Sequence, residues 1–107
     1  MSYGLATEQL RQICGVLKNH SSVESAVLYG SRAKGTYRLG SDIDITLKGR
    51  NITHKEFLHI LNELDELFLP YCFDVSILSL IENDDVIEHI NRVGKTIYQR
   101  NEIDENV

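Results

Sequence analysis

The sequence predicts one small domain in which helices pack on a small sheet, and three observations lead to this prediction. Segments with apolar residues at helical spacing alternate along the chain with segments of strand-like alternation. At 107 residues the chain is long enough for one core but too short for a catalytic domain and a separate substrate domain. A composition of 42% hydrophobic and 25% charged residues is typical of a folded globular protein. We therefore expect a single domain over residues 1–107, with one site.

The first third of the chain predicts a helix, a strand and a tight turn. An amphipathic helix is expected over about residues 7–19, because apolar residues recur at helical spacing at Leu10, Ile13, Cys14 and Leu17. The segment from Val23 to Tyr29 predicts a strand that leads directly into Gly30-Ser31. That pair predicts a short helix starting at Ser31, since glycine supplies the turn and serine an N-cap hydroxyl.

The middle of the chain predicts a strand followed by a long helix. The strand is expected from Asp42 to Lys48, between glycine-containing turns. In the helix, Thr53 and Glu56 have capping-box spacing, and Pro70 ends a run of apolar residues at helical intervals: Phe57, Leu61, Leu64 and Phe68.

The last third predicts a buried strand, a capped helix and a short edge strand. The strand is expected from Cys72 to Leu78. Ser79 and Glu82 have capping-box spacing ahead of a helix that Gly94 would terminate, and Ile97-Tyr98 predicts the edge strand. We expect the polar, acidic tail over residues 101–107 to fray.

Two aspartates in the second strand form the most informative pattern of the chain. A strand alternates its side chains with period two, so Asp42 and Asp44 share one face while Ile43 and Ile45 share the other. Two carboxylates on one face repel each other unless a cation or a hydrogen-bond donor lies between them. Taken alone, the pattern is more typical of a solvated strand edge than of a metal site.

A third carboxylate turns the pattern into a candidate catalytic site. Asp74 lies in another strand, and it reaches Asp42 and Asp44 if the two strands are neighbours. Magnesium takes hard oxygen ligands, often one or two carboxylates with phosphate and water, and two such ions suit phosphoryl transfer. We expect Asp42 and Asp44 to bridge two Mg²⁺ ions and Asp74 to complete the ion nearer the acceptor hydroxyl.

The residues around Gly30 predict a phosphate-binding loop. A backbone without a side chain at Gly30 lets phosphates approach, and Ser31 adds a hydroxyl donor at the start of the short helix. Arg32 and Lys34 are candidates for neutralising a triphosphate, and Ser41 for donating a hydrogen bond beside the carboxylates. Arg38 is interpreted as an exposed polar residue.

Composition excludes several classes of partner and site. With a net charge of −5 and no basic run, the chain is not expected to bind long nucleic acids, whereas a small polyphosphate suits the loop. The sequence has neither a membrane-spanning stretch nor a signal peptide pattern, which favours a cytoplasmic location and no membrane partner. Cys14 and Cys72 are interpreted as buried thiols rather than zinc ligands. The histidines are interpreted as surface or cap residues: His20, His54, His59 and His89.

The run Gly-Ser-Arg-Ala-Lys-Gly followed by Gly-Ser-Asp-Ile-Asp-Ile, with a later strand aspartate, resembles the nucleotidyltransferase superfamily that includes DNA polymerase beta. Among its branches the chain resembles the minimal nucleotidyltransferase (MNT) proteins over most of its length. The resemblance implies an α+β fold with a mixed sheet and Mg²⁺-dependent transfer of a nucleoside monophosphate from a triphosphate such as ATP. It also implies that Asp42, Asp44 and Asp74 are the metal ligands and that Gly30 and Ser31 hold the triphosphate.

The resemblance further implies a partner. MNT proteins are commonly encoded beside a small helical HEPN protein, act as the antitoxin of that pair, and in some cases attach AMP to a tyrosine of the partner. Two other functions stay open: a catalytically idle module that neutralises a HEPN toxin by binding it, and a nucleotidyltransferase for a small molecule such as an aminoglycoside. A homo-oligomer is also compatible with the sequence.

Overall fold

The computed structural model describes residues 3–100, and its helices and strands follow the predicted chain order. The tail predicted to fray, residues 101–107, lies outside the described residues. The elements are α1 (Thr7–Lys18), β1 (Val23–Tyr29), α2 (Gly30–Lys34), β2 (Ile43–Gly49), α3 (His54–Asp65), β3 (Phe73–Ile77), a 3-10 helix (Leu78–Leu80), α4 (Asp84–Val93) and β4 (Lys95–Gln99).

The four strands form one mixed sheet in the order β3-β2-β1-β4. β1 is antiparallel to both β2 and β4, whereas β2 and β3 are parallel and are joined through α3. A parallel pair needs such a crossover, because the chain must return to the end of the sheet at which the first strand began before the second strand can start. The predicted α+β fold with a small mixed sheet is confirmed.

One face of the sheet packs on α1 and α3 and forms the hydrophobic core. Strand residues Leu28 and Ile45 point to this face and are fully buried. They join a cluster with apolar residues of the two helices, namely Ile13, Val16, Leu17, Ile60 and Leu64. Three of them, Ile13, Leu17 and Leu64, belong to the helical spacing that predicted the two helices.

Helix α4 packs against β1. Its Ile90 is buried. Gly94 follows α4, and a Cβ at that position would collide with the carbonyl of Ile90 and with the Val27 side chain. Gly94 ends the helix, as predicted, and its φ of −59° shows that close packing rather than a left-handed conformation is the reason for glycine here.

Three predicted helix ends were wrong. Helix α2 starts at Gly30 with Tyr29 at its N-cap, so Ser31 does not cap it. Helix α3 ends at Asp65, and Phe68 lies beyond it with a φ of +54° and an exposed ring. Helix α4 is capped by Asn83, whose Oδ1 accepts from the Asp85 and Val86 amides at 2.9 and 3.3 Å, rather than by Ser79 and Glu82.

The prediction of two buried thiols was also wrong. Cys72 is exposed, and Cys14 is half-buried. The Cys14 thiol donates to the carbonyl of Ile97, 3.1 Å away, and burial raises its pKa. Ile97 lies at an irregularity in the pairing of β4 with β1, so the thiol satisfies a carbonyl near an interrupted ladder.

Among the histidines, His54 and His59 are exposed, as predicted. His20 is half-buried instead: its Nε2 lies 2.5 Å from Glu63 Oε2 and its Nδ1 3.5 Å from Glu56 Oε2. These contacts tie the turn after α1 to helix α3. No helix in the described part of the chain has the length and apolar character needed to span a membrane.

Candidate active site

Three adjacent strands bring Tyr29, Asp44 and Asp74 into one row. Tyr29 pairs with Asp44 across the antiparallel β1–β2 ladder, and Asp44 pairs with Asp74 across the parallel β2–β3 ladder. Directly paired residues point to the same face of a sheet, so the two carboxylates lie side by side. The expectation that the strands of Asp44 and Asp74 are neighbours is therefore met.

Asp42 has a different position from the one its spacing suggested. It is exposed and lies just ahead of β2, which begins at Ile43. Strand alternation therefore does not fix its side chain, although its charge still acts on Asp44. Ile43 enters the ladder through its amide, which donates to the Cys72 carbonyl at 2.8 Å.

Burial and neighbouring negative charge together set the electrostatics of this corner. The pKa of Asp44 is raised by burial, then by the charges of Asp74 and Asp42, and it is lowered in part by His89 and Arg32. Burial also raises the pKa of Tyr29, as do the charges of Asp74 and Asp44, while a hydrogen bond with Ser76 opposes the shift. None of the ion pairs found among residues 3–100 includes any of the three aspartates. The arrangement therefore favours binding of a cation.

A cavity of about 450 Å³ opens over the carboxylate row, between β1, β2, β3 and α4. Its volume lies within the usual range for small-molecule sites, roughly 300–1,000 Å³. The lining residues are Tyr29, Gly30, Asp44, Asp74, Asp85, Val86 and His89.

Gly30 forms the turn at one side of this cavity. Its φ is +75°, and a Cβ at this position would collide with Asp44 Oδ2. Only glycine therefore lets the chain turn this close to the carboxylate. The predicted approach of phosphates to the Gly30 backbone stays a prediction.

His89 is the residue that sequence reasoning missed. The Gly30 amide donates to His89 Nε2 at 3.2 Å, and the imidazole meets the Tyr29 ring edge-on with centroids 6.2 Å apart. The prediction of a surface or cap residue was wrong for this histidine. The sequence did contain an indication that His89 is not simply exposed. It follows the apolar Val86 by three residues and therefore lies on the same face of the helix.

The side chain of Arg32 is buried, whereas a side chain that binds phosphate from solvent would be exposed. It is only 2% exposed, and its Nε and Nη2 donate to the Ser41 carbonyl at 3.1 and 2.7 Å. Its Nη1 donates to the Tyr3 carbonyl at 2.9 Å, and the guanidinium lies 4.6 Å from the Tyr71 ring centroid and 5.4 Å from that of Tyr37. These contacts hold the loop that delivers Asp42, through the residue immediately before it.

The other predicted loop residues are not gathered around the carboxylates by any contact in the described structure. Ser41 Oγ accepts from the Arg38 amide at 2.8 Å, so it shapes the loop. Lys34 and Arg38 are exposed, and Ser31 is half-buried in the first turn of α2. Their expected roles toward a triphosphate stay predictions.

The donor chemistry of the corner fits a divalent cation that takes part of its ligands from a bound polyphosphate. Within residues 3–100, no group of three or more His, Cys, Asp or Glu side chains is gathered as a metal site. The fit rests on the paired carboxylates of Asp44 and Asp74 and on the raised pKa of Asp44, to which the charge of Asp42 contributes. Mg²⁺ typically uses one or two carboxylates together with substrate phosphates.

Comparison with known proteins gives a family match and a fold match. The sequence model of the family described as polymerase beta, nucleotidyltransferase matches residues 11–103. No curated protein sequence matches the chain.

Three solved structures illustrate the fold match. A chain of a toxin–antitoxin crystallised with AMP-PNP has a TM-score of 0.70 and 19% identity, covering 90% of this chain and 77% of that one. A chain from a tri-AMPylated Shewanella oneidensis HEPN toxin in complex with its MNT antitoxin has a TM-score of 0.65 and 17% identity, covering 92% and 76%. A protein described as a nucleotidyltransferase from Sulfolobus solfataricus has a TM-score of 0.50 and 17% identity, covering 91% and 92%.

Proposed function

The chain belongs to the polymerase beta nucleotidyltransferase family, and on that premise we propose that it transfers AMP from ATP to a hydroxyl group of a helical HEPN partner protein. The observation that carries the proposal is the ladder register that sets Asp44 beside Asp74, next to the glycine turn and outside the ion pairs found among residues 3–100. A HEPN toxin carrying AMP in complex with an MNT antitoxin, among the similar structures, supports the choice of donor and acceptor.

The proposed reaction forms one phosphorus–oxygen bond and breaks another. The acceptor oxygen attacks the α-phosphorus of ATP, the bond to the bridging oxygen of the β-phosphate breaks, and pyrophosphate leaves. Asp74 is exposed on the edge strand, which suits a carboxylate that takes the hydroxyl proton from an incoming protein. The turn at Gly30 gives the phosphates access to backbone beside Asp44.

The proposed cofactor is Mg²⁺, held by Asp42, Asp44 and Asp74. When bound, it supplies positive charge that offsets both the carboxylates and the phosphates. Without it, Asp44 and Asp74 repel each other and repel ATP, so we expect chelation by EDTA to abolish nucleotide binding.

Intact-mass analysis of the co-expressed pair tests this function directly. The chain and the HEPN protein encoded beside it are purified together, and the partner is expected to gain one or more AMP units. The matched control is the Asp42→Asn, Asp44→Asn double variant, which should leave the partner unmodified. An unmodified partner with the wild-type chain, or equal modification by the double variant, would contradict the proposal.

A second candidate function is a binding module that neutralises the toxin without nucleotidyl transfer. It is favoured by the lack of a gathered metal site within the described residues. The two functions are separated by toxicity: the double variant still rescues growth if binding is enough, and it fails if transfer is required. Labelling of small alcohols with no protein acceptor would favour the small-molecule alternative instead.

A further inference from the structure

His89 is the basic side chain that helix α4 directs into the cavity above the carboxylate row. The other titratable groups lining the cavity are Tyr29, Asp44, Asp74 and Asp85. The imidazole is half-buried and makes two contacts there, a hydrogen bond to the Gly30 amide and an edge contact with the Tyr29 ring. A surface histidine would have neither contact, so this side chain belongs to the site.

The hydrogen bond fixes which ring nitrogen can act. A backbone amide only donates, so His89 Nε2 must accept and carries no proton while the bond exists. Its lone pair is then engaged and cannot take a proton from an acceptor hydroxyl. The geometry is therefore that of a support for the turn rather than that of a general base.

Gly30 transmits this support to the carboxylate. The turn packs so tightly on Asp44 that a Cβ at residue 30 would collide with Oδ2. A displacement of the turn therefore opens or closes the space in which the Asp44 carboxylate sits. Helix α2 has only five residues, so few backbone bonds of its own restrain the turn.

Helix α4 supplies a rigid base for the imidazole. Ile90, the residue after His89, is buried. The Gly94 amide closes the helix on the Ile90 carbonyl at 2.8 Å. The edge contact with Tyr29 restricts rotation of the ring, because an aromatic edge meets an aromatic face at a preferred angle. The imidazole is thus held from both sides while Nε2 holds the Gly30 amide.

We propose that His89 is a positioning residue of the nucleotidyl-transfer site, which fixes the Gly30 turn against Asp44 through a hydrogen bond to Nε2. This inference rests on the proposed function for its kinetic consequence. Outside the carboxylates and the glycine loop, the reaction then needs His89 for alignment rather than for proton transfer.

Three substitutions of the same residue separate alignment from the alternatives. Glutamine can place its Oε1 acceptor near the position of Nε2, whereas asparagine reaches only the position of Nδ1. Phenylalanine keeps an aromatic ring beside Tyr29 and removes the acceptor. The control is His59→Phe on the exposed surface of α3.

The kinetic experiment measures AMP transfer to the purified HEPN partner at varied ATP. We expect His89→Phe and His89→Asn to lower kcat by about 10- to 100-fold, the size of effect that a misplaced reacting group produces. Because the Gly30 turn and Asp44 also belong to the proposed nucleotide site, KM for ATP is expected to rise in the same two variants, and His89→Gln should restore both kcat and KM to within about 3-fold of wild type. A general base would be lost in the glutamine and phenylalanine variants alike.

A second measurement tests the hydrogen bond between the Gly30 amide and His89 independently of activity. Exchange of the Gly30 amide proton, measured by NMR, should be slow in wild type and His89→Gln and at least about 10-fold faster in the Phe and Asn variants. Wild-type kcat in His89→Phe, a His89→Gln variant as slow as His89→Phe, or equal Gly30 exchange in all variants would each overturn the inference. If the wild-type chain transfers no AMP, the proposed function fails, and Gly30 exchange still decides whether His89 holds the turn.

Discussion

The two faces of the same three strands differ in what surrounds their side chains. On one face Leu28 and Ile45 are fully buried against α1 and α3. On the other face, one residue away along each strand, Tyr29, Asp44 and Asp74 stand in a row under an open cavity. The period of two along a strand lets neighbouring residues serve separate purposes, one stabilising the fold and the other providing reactivity.

The carboxylate face destabilises the fold through its charges rather than through unpaired hydrogen-bonding groups. In the described part of the chain, every buried side-chain nitrogen or oxygen has a hydrogen-bond partner. Asp44 is nevertheless shifted toward its protonated form by burial and by two like charges. A position that opposes folding in this way is typical of a functional site.

The largest expected effect removes one charge from the carboxylate row. Asp44→Asn should reduce AMP transfer by at least about 10³-fold, which corresponds to about 4 kcal/mol of transition-state stabilisation. The chain should fold at least as well as wild type, because a repulsive charge has gone. Initial rates at saturating ATP check this, with the exposed Asp84→Asn in α4 as the control. Retained activity in Asp44→Asn would contradict the idea that the carboxylate face provides the reactivity.

The next effect concerns the apolar face one residue further along β2. Ile45→Ala should lower the free energy of unfolding by about 3 kcal/mol, because it opens a cavity in the core between α1 and α3. Urea denaturation measures the change, and Ile45→Val should cost only about 1 kcal/mol. A destabilisation by alanine no larger than that by valine would mean that this face is less tightly packed than the structure indicates.

A third substitution tests the loop that carries Asp42. Arg32→Lys keeps the positive charge but cannot donate from Nε and Nη2 to the Ser41 carbonyl while also reaching that of Tyr3. We expect a loss of about 2 kcal/mol in unfolding free energy, the scale of hydrogen bonds from a charged group. Thermal or urea unfolding measures it. Arg38→Lys, at an exposed position of the same loop, is the control, and an equal loss there would argue against a special role for Arg32.

The smallest effect concerns the free energy of unfolding, whose difference between Asp44→Asn and wild type should depend on pH. Because the pKa of Asp44 is raised by folding, the ionised form is destabilising above that pKa, and stability is regained as the pH falls through it. The variant should be more stable than wild type by about 0.5 kcal/mol near pH 7.5, the scale of a like-charged cross-strand pair. The gap should narrow toward pH 4.5. A gap that widens on acidification would have the wrong sign.

Much of the fold was predictable because local patterns agreed with the packing. The helical spacing in α1 and α3 and the alternation in β1 and β2 place the apolar residues where the core needs them. The end of α3 was misjudged because the apolar Phe68 continues the helical period, although the chain has already turned at Glu66. A periodic pattern does not reveal where the packing surface stops.

The candidate site was predictable only where it depends on spacing along one strand or on neighbouring strands. Asp44 and Asp74 were expected together, and the register places them so. His89 and Arg32 were misread because their partners are far away in sequence or are backbone groups: Gly30 lies 59 residues from His89, and Arg32 binds the carbonyls of Tyr3 and Ser41. The helical face that His89 shares with Val86 can be read from the sequence, but a single sequence does not show which distant residues a hydrogen bond will join.

Thermal unfolding with and without ligands shows whether the carboxylate row opposes folding until a cation and a nucleotide bind. Wild type and Asp44→Asn are compared alone, with Mg²⁺, with a non-hydrolysable ATP analogue, and with both. We predict that wild type is the less stable protein alone and gains several degrees only when both ligands are present, because ligands that bind the native state stabilise it. The gain of Asp44→Asn should be much smaller. Equal gains in the two proteins, or no gain in wild type, would contradict this prediction.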